Sequence, residues 1–163
     1  MLYTDMTKKA MKLMFQVHKD QEDRSGIPYA FHPWHVAETV AANDADELVV
    51  TCALLHDVIE DSGAESETGK VTVETLREEG FPEPVLEALE LLTHDDDTPY
   101  LEYVRRLADN DIARQVKMAD LEHNSVLSRL DTVTEKDMAR VDKYRQAMVI
   151  LEGKDLLRVM HLW

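Results

Sequence analysis

The sequence is poor in the residues that punctuate or cross-link a chain. It has one cysteine, Cys52, so no disulfide can form within the chain, and a reducing compartment is expected. Five glycines and five prolines in 163 residues are too few for a collagenous, linker-like or low-complexity protein. Positive charge is scarce: 18 Lys and Arg stand against 33 Asp and Glu, a formal net charge of -15. That balance disfavours a nucleic-acid backbone or an anionic membrane surface as partner, since both require a basic face. A small anionic ligand stays compatible, because a metal or a local basic cluster overrides net charge at short range. No apolar run approaches the roughly 20 residues that span a bilayer. The first fifteen residues interleave Asp5, Lys8, Lys9 and Lys12 with apolar ones, unlike a signal peptide. A cytoplasmic location is expected.

Strand signals are also missing: no stretch sustains apolar and polar alternation with β-branched enrichment. The chain reads as helical almost throughout, and as one domain over 1–163 without repeats. A first helix is predicted over about 5–20, carried by Met6, Ala10, Leu13, Met14 and Val17. Ser25-Gly26-Ile27-Pro28 is a turn, and His32-Pro33 opens a second helix. Asp44 or Asp46 caps a third, to about Ile59, which is apolar on nearly all faces and so the expected central helix. Residues 62–71 read as a polar loop. Short helices are predicted from Thr72 to Gly80 and from Pro82 to about Leu92, followed by an acidic loop over His94–Asp97. Thr98-Pro99 signals a cap and first turn; a further helix runs over about Ile112–Leu130. Thr134 with Asp137 caps a last helix to about Leu157. The expected fold class is all-α, an irregular multi-helix bundle.

The chemistry concentrates in three segments. Leu54-Leu55-His56-Asp57-Val58-Ile59-Glu60-Asp61 puts an imidazole and three carboxylates at the end of the most apolar helix. At helical spacing they cover an arc of about 140°. Such a cluster repels itself and is costly to bury, and a divalent cation would relieve both problems. Alone, it also fits a solvated helix end with a packed histidine. Ile27-Pro28-Tyr29-Ala30-Phe31-His32-Pro33 places His32 at a helix start, where a capping role is the plainer reading. Val116 to Ser125 sets Asp120 among apolar residues, with Lys117 and Asn124 on its face. A surface helix face would explain that segment too.

Together the three give the order H…HD…D. The stretches HKDQEDRSGIPYAFHP, ALLHDVIEDSG and VKMADLEHNS resemble the HD-domain metal-dependent phosphohydrolases. The resemblance is strongest to the hydrolase domain of the RelA/SpoT alarmone enzymes and their small stand-alone relatives, and extends over about residues 8–150. It implies an all-helical fold holding one divalent metal, Mn²⁺ first and Fe²⁺ next, on His32, His56, Asp57 and Asp120. Glu60 and Asp61 match the family's acid-base pair. Asn124 and Tyr144 match residues near the nucleotide, and Arg24, Lys117 and Arg129 are the candidate cations for phosphate. The implied reaction is release of pyrophosphate from the 3′ position of guanosine tetraphosphate. The alternatives are another nucleotide, such as the 2′-phosphate of NADPH or a nucleoside monophosphate, and a catalytically weak binding module.

The chain departs from that pattern at Asp23, where the alarmone hydrolases carry an arginine that packs on guanine, and at Leu121, where a basic residue is usual. His18 and Gln21 match an HxxQ pair expected to buttress the ligands. Tyr29 is expected to line the pocket or to pack, and His35 to pack or support the ligands. His94, His123 and His161 receive no role, and Cys52 is structural. The expected partner is a small phosphorylated nucleotide, with self-association left open. At 163 residues the synthetase and regulatory domains of the long alarmone enzymes are not expected.

Overall fold

The computed structural model describes residues 2–64 and 67–161, with only the backbone over 154–161. Helices α1 (Asp5–His18), α2 (Phe31–Ala42), α3 (Glu47–Leu55), α4 (Val58–Asp61) and α5 (Val73–Glu78) form the first half. Helices α6 (Glu83–Leu92), α7 (Tyr100–Leu107), α8 (Asp111–Asn124) and α9 (Glu135–His161) follow, with a 3₁₀ turn over Leu127–Arg129. Among the described residues no strand forms; one isolated bridge pairs Glu22 with Pro28. The all-α expectation holds.

Helix α3 is the centre. Its residues from Val49 to Leu55 are all buried, and it packs against α1, α2, α6 and α8. A helix apolar all round has to be enclosed by others, which is why these four wrap it. Asp46 caps it, accepting from the amides of Leu48 and Val49, while Asp44 takes a positive φ of 60° in the preceding turn.

Three helix boundaries differ from expectation. Helix α3 stops at Leu55 rather than continuing to Ile59. The His56 ring turns back so that Nδ1–H donates to the Ala53 carbonyl (2.7 Å), and Asp57 opens to φ −104°, ψ −6° before α4 resumes. Helix α8 ends at Asn124, not near Leu130. Two local donors close it there: Ser125 Oγ donates to the Leu121 carbonyl (2.6 Å), and Arg129 Nη1 to that of His123 (3.2 Å). They satisfy carbonyls a longer helix would have used. Thr98 is not a cap: its hydroxyl donates to the Asp95 carboxylate, and Pro99 precedes α7 without a side-chain cap. Thr134 and Asp137 do form the expected reciprocal pair, at 2.9 and 3.3 Å.

The break after Leu55 positions the site. It presents His56 and Asp57 at the buried end of the central helix, facing the start of α2 and the last turns of α8.

Candidate metal centre

His32 comes from α2, His56 and Asp57 from the α3–α4 junction, and Asp120 from α8. His32, His56 and Asp120 are each 5% exposed, so their polar atoms must answer one another. His32 Nε2 lies 3.0 Å from Asp120 Oδ1 and 3.7 Å from Asp57 Oδ2. His56 Nε2 lies 3.1 Å from Asp57 Oδ2 and 3.7 Å from Asp120 Oδ1. Donors held at about 2.1 Å by one ion, at right angles, lie about 3 Å apart. The spacings fit such an ion. His56 Nε2 adds a second test: it is buried among carboxylates yet has no hydrogen-bond partner. An orphaned imidazole nitrogen aimed at two carboxylates is what a metal-binding histidine leaves when the ion is removed. His32, His56 and Asp57 form a group able to hold a metal, and Asp120 is within reach of both histidines.

The surroundings orient each donor. The Ala53 carbonyl fixes hydrogen on His56 Nδ1, leaving Nε2 as the ligand atom. Tyr29 OH donates to Asp57 Oδ2 at 2.6 Å, and Asn124 Nδ2 donates to Asp120 Oδ1 at 2.7 Å. Lys117 Nζ takes the other Asp120 oxygen at 2.9 Å. Its ammonium also sits 5.4 and 5.8 Å from the Tyr103 and Tyr100 ring centres.

Charge follows from this packing in the metal-free protein. Burial alone would lower the His56 imidazole, but Asp57 and Asp120 outweigh it and hold it well above the ordinary histidine range. Burial would raise Asp120, yet Lys117 and the two histidines hold it well below the usual carboxylate range. Lys117, despite its own burial, is held well above the usual lysine range by Asp120. Asp61 moves the other way: burial, then repulsion from Asp57 and Glu60, push it up to about 7.

Glu60 and Asp61 sit at the rim, Glu60 exposed and the Asp61 side chain 36% exposed. Glu60 Oε1 accepts from the His94 backbone amide at 2.7 Å, so one of its oxygens is committed. Asp61 Oδ2 lies 4.0 Å from His18 Nδ1, and the Asp61 carbonyl accepts from Gln21 Nε2 at 3.1 Å. His18 is fully buried, its Nδ1 2.7 Å from Gln21 Oε1, so the HxxQ pair does support this edge of the site.

Three cavities adjoin the cluster. The Arg24–Tyr144 cavity, about 260 Å³, opens from His32, Tyr29 and Asn124 and is walled by Asp23, Arg24, Arg129, Arg140 and Tyr144. A second, about 290 Å³, lies on the outer side of His32 against His123, Phe31 and Arg129. The third, about 180 Å³, lies against His56, Asp57 and Glu60, with Lys117, His94 and Tyr100. Arg24, Asn124 and Tyr144 are thus brought to one cavity, while Lys117 belongs to another and is bound to Asp120. Arg24 Nη1 is paired with Asp137 at 2.7 Å, and Arg129 Nη2 with Asp23 at 3.0 Å. Two histidines without an expected role are in the site. His94 holds Glu60, and His123 Nδ1 lies 2.7 Å from His32 Nδ1. The sequence signal for His123 is its place three residues after Asp120 on the same helix. The His161 side chain lies outside the described residues. No described helix is long and apolar enough to cross a membrane.

Comparison with known proteins agrees with this geometry. The family model described as "HD domain" matches residues 10–150. Among curated proteins, the chain is 35% identical over 75 residues to a putative GTP diphosphokinase of Arabidopsis thaliana chloroplasts, covering 46% of this chain and 8% of that one. It is 41% identical over 63 residues to a GTP pyrophosphokinase of Myxococcus xanthus, covering 39% and 8%. The matched stretch is therefore a small part of those relatives. A solved structure titled "A metazoan ortholog of SpoT hydrolyzes ppGpp and plays a role in starvation responses" superposes with a TM-score of 0.62 at 21% identity, covering 97% of this chain and 98% of that one. It shares the fold. The family match, over most of the chain, settles the assignment: this protein belongs to the HD domain family, the metal-dependent phosphohydrolases that its three segments resemble.

Proposed function

We propose that this chain is a Mn²⁺-dependent 3′-pyrophosphohydrolase of guanosine tetraphosphate, yielding GDP and pyrophosphate. The observation that carries the reading is the convergence of His32, His56, Asp57 and Asp120 beside Glu60 and Asp61, with a cavity of about 260 Å³ opening from His32. Two imidazoles with two carboxylates suit Mn²⁺ or Fe²⁺ better than Mg²⁺. A bound ion would supply polarisation of a water and of one phosphate oxygen. The curated relatives are named GTP pyrophosphokinases or diphosphokinases, and the superposed structure's title names ppGpp hydrolysis. Those names make guanosine tetraphosphate the first substrate to test.

The protein's own part is orientation and proton movement. Water oxygen bonds to the phosphorus nearest the ribose, the bond from that phosphorus to the 3′-oxygen breaks, and the 3′-oxygen takes a proton. Glu60, held through one oxygen by the His94 amide, keeps the other for the water. Asp61, whose carboxyl is pushed up to about 7, is suited to hold a proton for the leaving oxygen. Tyr29 and Asn124 keep the inner carboxylates aimed at the centre.

A second reading keeps the chemistry and changes the nucleotide. Asp23 favours it: a carboxylate offers no cationic plane to guanine, and both its oxygens are committed, to the amides of Ser25 and Ile27 and to Arg129. Product analysis with purified protein and Mn²⁺ decides between them, offering guanosine tetraphosphate, NADPH and nucleoside monophosphates. GDP plus pyrophosphate is the expected result. Turnover of another member alone transfers the assignment to that nucleotide, and binding without turnover of any would leave a binding module.

A further inference from the structure

A chain of side chains links the outer edge of His32 to the turn that walls the Arg24–Tyr144 cavity. His32 Nδ1 and His123 Nδ1 lie 2.7 Å apart, so one must donate and the other accept. Arg129 decides which. Its Nη1 lies 3.2 Å from the same His123 nitrogen, and a guanidinium only donates. His123 Nδ1 is therefore the acceptor for both, and His32 carries its hydrogen on Nδ1. That tautomer turns the Nε2 lone pair of His32 toward Asp57, Asp120 and His56.

Arg129 is itself fixed from both sides. Nη1 also donates to the His123 carbonyl (3.2 Å), and Nη2 donates to Asp23 Oδ2 (3.0 Å). The other Asp23 oxygen takes the amides of Ser25 and Ile27 at 2.8 and 3.0 Å, which closes the turn. Ser25 Oγ completes the link by donating to the Arg129 carbonyl at 2.7 Å. The His123 ring is held flat as well, stacked on His35 at 4.2 Å and meeting His32 edge to edge, with centroids 5.0 Å apart and planes 21° apart.

We propose that His123 and Arg129 are positioning residues for the metal ligand His32, anchored by Asp23. The residue at position 23 thereby acts on the metal centre instead of on a base. This rests on the reading of the site as a metal centre, and the test separates the two.

Mn²⁺ affinity is measured from the free-ion electron paramagnetic resonance signal, with circular dichroism and unfolding in EDTA as fold controls. His123→Leu is expected to weaken Mn²⁺ binding about 10–100-fold, the usual effect of losing the group that orients a ligating histidine. His123→Asn, which keeps an acceptor near Nδ1, recovers most of that affinity. Arg129→Met weakens binding in the same direction by a smaller factor, because His123 is then free to present N–H to His32. Should His123→Leu fail to fold, His123→Asn against Arg129→Met carries the comparison. Mn²⁺ binding by His123→Leu within twofold of wild type, or no advantage of Asn over Leu, overturns the proposal while leaving the metal centre standing. Wild-type protein that binds no more Mn²⁺ than His56→Ala overturns the metal centre itself.

Discussion

Asp120→Ala isolates the charge balance of the site. In the metal-free protein Asp120 neutralises Lys117, whose ammonium is 2.9 Å away with the two side chains only 13% and 8% exposed. Removing one partner of a buried pair leaves an uncompensated charge and costs about 3–5 kcal/mol. For a chain of this size each kcal/mol lowers the midpoint by about 2–4 °C, so a fall of about 6–20 °C is expected. Removing both partners leaves no such charge. Asp120→Ala/Lys117→Met is therefore expected to regain at least about 2 kcal/mol over the single variant, although Asn124 and His32 still lack their acceptor. Thermal and urea unfolding in EDTA read the difference. Mn²⁺ should stabilise neither variant. A single variant within about 2 °C of wild type, or a double variant no more stable than the single, would show that Lys117 escapes to solvent and that the pair is not a buried one.

Wild-type protein should be stabilised by Mn²⁺: at a hundred times the dissociation constant the gain is about 2.7 kcal/mol, a rise of about 5–11 °C, absent in His56→Ala and Asp57→Ala. A thermal shift common to all three would mean that the ion binds elsewhere. Glu60→Gln and Asp61→Asn should keep their metal and lose about 10²–10⁴ in kcat, measured as pyrophosphate release; unchanged turnover removes their assigned role. Metal binding should release protons, since His56 is held protonated well above the ordinary histidine range and Nε2 must lose its proton to bind. Affinity then rises with pH by up to about tenfold per unit below that pKa and levels off above it. Calorimetry in buffers of different ionisation heat counts the protons, and a pH-independent affinity refutes this account. Arg24→Met should raise KM several-fold with little change in kcat; an equal loss in kcat would place Arg24 at the reacting phosphate instead.

The clustering of His32, His56, Asp57 and Asp120 was legible because their order along the chain is itself a pattern, and α3 because apolar residues cover all its faces. The break at His56 was not. His56 and Asp57 keep near-helical backbone, and the bond from the ring to the Ala53 carbonyl leaves no mark in hydrophobic spacing. The end of α8 was hidden because Val126, Leu127 and Leu130 prolong an apolar pattern past Asn124. Lys117 was placed on the face of Asp120 correctly, but sharing a face fits a phosphate contact and an ion pair equally. Only burial of both chose the pair. The pairings of His123 with His32 and of Arg129 with Asp23 were not legible, since the partners lie 91 and 106 residues apart in sequence.

The cations around the site differ in what their release would cost, and that grades them as ligands for a phosphate. Moving Lys117 would strand Asp120 in the interior. Moving Arg129 would strip Asp23 of its counter-charge and His123 of the donor that sets its tautomer. Arg24 is different. Its side chain is 59% exposed, and an ion pair with one exposed partner is worth little. Its partner would not be stranded either: Asp137 keeps Arg140 at 3.2 Å, and its other oxygen accepts from the Thr134 amide and hydroxyl. On the proposed reading Arg24 is the cation that exchanges its partner, Asp137, for an incoming anion at the mouth of the Arg24–Tyr144 cavity, while Lys117 and Arg129 stay committed to Asp120 and Asp23.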